Sequence, residues 1–102
     1  MKTIKEWQKL FVDAMIKKFG SSSQEKRLAF MEEDFNDIKN SMQRENGNLE
    51  SDDHRHKDPN ERIAGLLSNV FVLADQRGMD LEKELQKALD WYLDPNTQPS
   101  SQ

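Results

Sequence analysis

Phe30-Met31-Glu32-Glu33-Asp34-Phe35-Asn36-Asp37-Ile38 is the stretch whose reading decides the fold. Taken with its flanks, its apolar residues form the series Leu28, Met31, Phe35, Ile38 and Met42. These fall at steps of three and four, the period of an α-helix with one apolar face. No segment of the chain alternates apolar and polar residues over a strand's length, so no strand is predicted. Upstream, Ser22 with Glu25 has the spacing of a capping box, in which each side chain serves the other's free backbone amide. The spacing predicts a helix over about residues 23–43.

The same reasoning extends in both directions. An earlier helix over about 3–19 carries Ile4, Trp7, Phe11, Ala14 or Met15, and Phe19, and Gly20 supplies its left-handed stop. Core packing is the expected role of these aromatic residues. Beyond the central stretch, residues 44–58 form a polar loop, long for a compact bundle. Asp58, Pro59 and Glu61 then start a third helix over about 59–77: Asp58 caps, Pro59 fits the first helical position, and Glu61 completes a capping box. It carries Ile63, Leu66, Leu67, Val70, Phe71, Leu73 and Ala74, a wide apolar arc that predicts the most buried element. Gly78 ends it. Asp80 caps a fourth helix over about 81–93, with Leu81, Leu85, Ala88, Leu89 and Tyr92 on one side. Residues 95–102 are a polar tail predicted to be disordered. The fold class expected is all-α, one domain (residues 1–94) of four helices.

Composition narrows the classes further. The chain has 102 residues, 15 Lys+Arg against 19 Asp+Glu, 34% hydrophobic residues and no cysteine. A second core cannot be built from so little apolar material. With a third of the residues charged, even one core is thin, which predicts burial against a second copy. A disulfide scaffold is excluded, and no apolar run approaches the ~18 residues of a membrane span. Lys5, Glu6, Lys9 and Asp13 interrupt any apolar core of a secretion signal in residues 1–20. Together with the lack of cysteine, this makes the cytoplasm the expected location. Residues 1–27 hold seven Lys/Arg against three Asp/Glu. These basic residues are spread around a helix without a glycine-aromatic recognition motif, so no nucleic-acid polymer is expected as a partner.

Chemistry concentrates in the central stretch. Asp34 and Asp37, three apart, project from neighbouring turns of one helix surface. Paired carboxylates at that spacing can share Mg²⁺, a hard cation that also takes phosphate oxygens; Glu33 is an additional candidate ligand. His54 and His56 lie in Asp52-Asp53-His54-Arg55-His56-Lys57-Asp58. No third or fourth ligand stands at a familiar interval from them, so a solvated loop is the better reading. Ser51, beside them, has no oxyanion motif.

With Trp7-Gln8 and Phe19-Gly20 upstream, Glu33-Asp34-Phe35-Asn36-Asp37-Ile38 resembles the second-helix pattern of the all-α nucleoside triphosphate pyrophosphohydrolases of the MazG type. Glu61-Arg62-Ile63-Ala64-Gly65-Leu66-Leu67, Leu73-Ala74 and Gly78-Met79-Asp80-Leu81-Glu82 resemble that family's third and fourth helices, so the likeness spans about residues 4–93 in order. It implies a four-helix MazG-like bundle completed by homo-oligomerisation, as a dimer or tetramer. It also implies cleavage of nucleoside triphosphates to monophosphate and pyrophosphate with Mg²⁺ as cofactor. The family's ExxE ligands fall on Asp34 and Asp37. Its ExxD ligands fall on Arg62 and Gly65, neither of which can offer a carboxylate. Of its fourth-helix nucleotide contacts, Lys87 matches, whereas Leu89 and Trp91 stand where polar residues are expected.

Those departures predict that Arg62 pairs with Asp34 or Asp37 and substitutes for the ion, giving a non-catalytic or weakly active module that binds a nucleotide or a protein. The alternative is an active hydrolase whose metal shell is completed by Glu33, Asn36, Asp52 or Asp53. A structural helical homodimer is the third reading.

Overall fold

The computed structural model describes residues 1–45 and 58–96, and among them the chain is all-helical. The elements are α1 (Ile4–Phe19), α2 (Gln24–Glu45), α3 (Pro59–Gln76) and α4 (Leu81–Leu93). None of these helices is long and apolar enough to cross a membrane. The loop expected at 44–58 begins later, since α2 continues through Glu45; residues 46–57, with Ser51, Asp52, Asp53, His54 and His56, lie outside the described residues. So does the tail from 97 onward.

Local chemistry sets the boundaries. Thr3 and Glu6 form a reciprocal capping box that opens α1, and Gly20 closes it at φ +82° with its N–H donating to the Ile16 carbonyl. The start of α2 departs from expectation. Its cap is Ser23, whose Oγ accepts from the Lys26 N–H at 3.1 Å, and not Ser22. The Ser22 side chain is taken instead by Arg27. Asp58 caps α3 through the Glu61 N–H with Pro59 in the first turn, and Asp80 caps α4 through the Lys83 N–H. Gly78 at φ +63° turns the chain between them, a conformation L side chains rarely adopt.

The helix α3 holds the centre, as its wide apolar arc predicts. Phe71, Val72 and Ala74 are buried, and Val72 is only 2% exposed. Against them α1 places Val12, flanked by Ile4, Phe11 and Met15, so Met15 and not Ala14 is the inward residue. The Phe11 and Phe71 rings meet at 5.7 Å, and the Gln8 side chain donates to the Phe71 carbonyl. From α4, Leu81 alone joins this core, and no residue of that helix is buried. Phe19, expected in the core, is 72% exposed at the last turn of α1, where it borders a cleft that α2 and α3 also line. Trp7 is also exposed, its face covered on one side by the Lys2 ammonium at 5.1 Å.

The helix α2 lies antiparallel along α3, since Ser22 meets Gln76, Arg27 meets Asn69 and Asp37 meets Arg62. Its predicted apolar stripe splits. Met31 and Ile38 are half-buried, whereas Leu28, Phe35 and Met42 are exposed. The residues turned fully inward are Arg27 and Ser41, with Asp34 between them half-buried.

Candidate functional site

Position 27 and positions 34 and 41 recur every seven residues, nearly two turns, so they line one side of α2. A row of polar residues there means that α2 presents hydrogen-bonding groups to α3. The matching row on α3 is Arg62, Gly65 and Asn69, spaced by three and four. Where the two rows meet beside the end of α1, they border a cleft of about 510 Å³. Its lining runs from Ser21, Ser22, Lys26 and Arg27 at one end to Glu33, Asp34, Asp37 and Arg62 at the other, with Asn69 between.

Asn69 is buried and joins the two ends. Its Oδ1 accepts from Arg27 Nη1 at 2.7 Å, and its Nδ2 donates to Asp34 Oδ2. Arg27 in turn donates from Nη2 to Ser22 Oγ at 2.6 Å. A chain of oriented bonds therefore leads from the α1–α2 turn, through a guanidinium and an amide, to a carboxylate. Buried polar networks of this kind are rigid when satisfied and costly when broken. At the acidic end, Arg62 Nη1 lies 3.8 Å from Asp37 Oδ2, an ion pair with both side chains about a quarter exposed.

Burial pushes the Asp34 carboxyl above the usual aspartate range. The hydrogen bond from Asn69 opposes that rise, the neighbouring Asp37 adds to it, Arg62 opposes it, and Glu33 adds a smaller push. Desolvation wins, so the site holds one carboxyl that takes up a proton more readily than an exposed aspartate.

Asp34, Asp37, Glu33 and Arg62 are thus brought together as the sequence suggests. Gly65 lies on the same side of α3, half-buried, and a Cβ built there meets nothing within 4 Å. Lys87 is not brought to the cleft. It is exposed on α4, beside Glu84 at 3.3 Å. Asn36 is exposed and does not line the cleft.

The donor set does not make an ordinary Mg²⁺ shell. Asp34 is engaged by Asn69 and Asp37 by a cation. Among the described residues, no group of three or more His, Cys, Asp or Glu side chains is placed to hold a metal ion.

Two residues that carry the cleft's hydrogen-bond chain escaped the sequence reading, Asn69 and Arg27. Asn69 stands seven residues after Arg62, hence on its side of α3, and a polar side chain inside an otherwise apolar run was the available signal. Arg27 carried no such mark, since it resembles any basic residue at a helix start. No family model, curated protein or solved structure matches the chain.

Proposed function

We propose that this chain is a nucleotide-binding relative of the MazG-type pyrophosphohydrolases in which Arg62 performs the charge neutralisation that Mg²⁺ performs in the enzymes. Binding then needs no divalent cation, and hydrolysis is weak or absent. The observation that carries this reading is the Arg62–Asp37 ion pair on the acidic wall of the cleft. Carboxylates gathered in a half-buried cleft need a compensating positive charge, and a tethered guanidinium supplies it permanently. A Mg²⁺ ion, which sheds its waters reluctantly, would have to displace that guanidinium and bind with few carboxylates.

Calorimetry with a panel of nucleoside triphosphates, in EDTA and in Mg²⁺, tests the reading. Equal affinity in both buffers, with no pyrophosphate released, is the expected result. Arg62→Glu combined with Gly65→Asp removes the cation and adds two carboxylates; Mg²⁺ binding should appear in that variant. The open space around position 65 leaves room for the new side chain, and Asp is a somewhat better helix former than Gly by a few tenths of a kcal/mol, roughly. Pyrophosphate release by the natural chain that requires Mg²⁺, and disappears in Asp34→Ala and Asp37→Ala, would overturn the proposal in favour of an active hydrolase.

The scaffold acts as a homo-oligomer in this reading. Support comes from Leu28, Phe35 and Met42 on α2 and Ile63 and Leu67 on α3, all about half exposed. Five large apolar side chains in that state are an unusual load for a chain with so thin a core.

A further inference from the structure

At the basic end of the cleft Arg27 is a cation with no anion among the described residues within ion-pair distance. Arg27 is only 5% exposed, yet its hydrogen bonds go to neutral groups, the Asn69 amide oxygen and the Ser22 hydroxyl. Its Nε has no hydrogen-bond partner, and no carboxylate among the described residues pairs with it. The hydrogen-bond chain links it to a carboxyl only indirectly, through Asn69 to Asp34, and burial disfavours the ionised form of that carboxyl. Burying a guanidinium without a direct counter-ion is costly. The Phe30 ring, 5.4 Å from its Cζ, offsets a small part of this.

The unsatisfied edge of the guanidinium, buried at Nε beneath Ser22, points to the ligand that would complete it once Ser22 moves aside. Nη1 is anchored inward on Asn69, whereas Nε and Nη2 point the same way along the other edge of the guanidinium. That edge is the fork that grips two oxygens of a carboxylate or phosphate. At present Ser22 Oγ holds one tine and nothing holds the other. Ser21, Ser22 and the exposed Lys26 line the cleft at this same end, and α2 begins here with its positive dipole end.

We propose that the Ser22–Lys26–Arg27 end of the cleft is an oxyanion subsite that takes a phosphoryl group without a metal ion. The group's oxygens replace Ser22 on the Nε–Nη2 edge of Arg27, and Lys26 neutralises the remaining charge. This deepens the nucleotide-binding reading by fixing which end of the ligand sits where: phosphate against α2's first turn, the remainder toward Phe30 and the acidic wall. It can fail on its own, since nucleotide binding without Mg²⁺ could place the phosphates elsewhere.

The test uses pyrophosphate and the intact chain in EDTA, read by calorimetry and by the Arg Nε–H resonances in ¹⁵N NMR. Saturable binding with a downfield move of the Arg27 Nε–H signal is expected. Arg27→Met should weaken binding by on the order of tenfold to a hundredfold, the worth of a charge-assisted bond pair. Lys26→Gln should weaken it several-fold without touching the fold, because Lys26 is exposed; Lys17→Gln on α1 should leave it unchanged. If Arg27→Met does not fold, Lys26→Gln and the Nε–H signal of the natural chain still decide. Nucleoside monophosphates binding more tightly than phosphate would assign the group to a nucleotide, and equal affinities would assign it to a free oxyanion; either result sustains the subsite. No saturable binding, or binding that ignores both Arg27→Met and Lys26→Gln, overturns it.

Discussion

The two flanks of α2 are inverted relative to the usual rule. The side facing α3 carries Arg27, Asp34 and Ser41, whereas the neighbouring side carries Leu28, Phe35 and Met42 and remains exposed. Both rows repeat every seven residues on one helix, so helix propensity cannot distinguish them. The helix keeps only Met31 and Ile38 half-buried from its apolar stripe and gains a polar network to α3 through Arg27 and Asp34. In the function proposed above, the polar row serves the ligand and the apolar row a second copy. The contrast then separates a proposed binding flank from a proposed assembly flank on a single helix.

The contrast breaks most visibly at its apolar side. Phe35→Asp should convert an oligomer to monomers, measured by sedimentation velocity across a concentration series. Association buries the remaining exposed half of Phe35 in each of two subunits, so its loss costs about 1.5–3 kcal/mol, or on the order of 10–10² in the dissociation constant. Folding of the isolated chain should hardly change, because Phe35 is already 54% exposed within it. A natural chain that sediments as a monomer at every concentration would remove the assembly flank from the comparison.

The polar flank should respond in the opposite way, through the fold. Asn69→Leu keeps a similar volume but strips Arg27 Nη1 and Asp34 of their shared partner. The expected loss is about 3 kcal/mol in urea unfolding, since two buried charged groups lose a hydrogen bond each. No loss would mean that the network contributes nothing to α2–α3 packing.

The smallest effect sharpens the picture through pH. Burial holds the folded-state pKa of Asp34 above its unfolded value. The folded chain then binds the proton more tightly, so this group's contribution to stability falls as pH rises from the ordinary aspartate value through the raised one, and is constant above it. Asp34→Asn removes the ionisation. The stability difference between variant and natural chain should favour the variant at neutral pH and shift against it as pH falls to about 4. Thermal unfolding of both across that range checks the sign.

Much of the site was legible in the residues themselves. Asp34 and Asp37 share a helix surface because they are three apart, and Arg62 stands opposite because α3 returns antiparallel to α2. Spacing alone could not show that Arg27, an unremarkable basic residue, is buried or that Asn69 bridges it to Asp34. Nor could it show that Lys87 sits away from the cleft, a consequence of α4 touching the core only through Leu81.

The sequence by itself determined four helices and their limits to within about two residues, α2 running on to Glu45. Capping groups, glycine at positive φ and the three-four apolar rhythm act within a few residues and need no partner helix. Only the tertiary structure decided which side of α2 turns inward. Adjacent rows on a helix differ by about 100° of rotation, and that angle is fixed by the surface α3 presents. With Arg62, Gly65 and Asn69 on that surface, the inward row is the one whose Arg27 and Asp34 bond to Asn69, and Leu28, Phe35 and Met42 are left facing out.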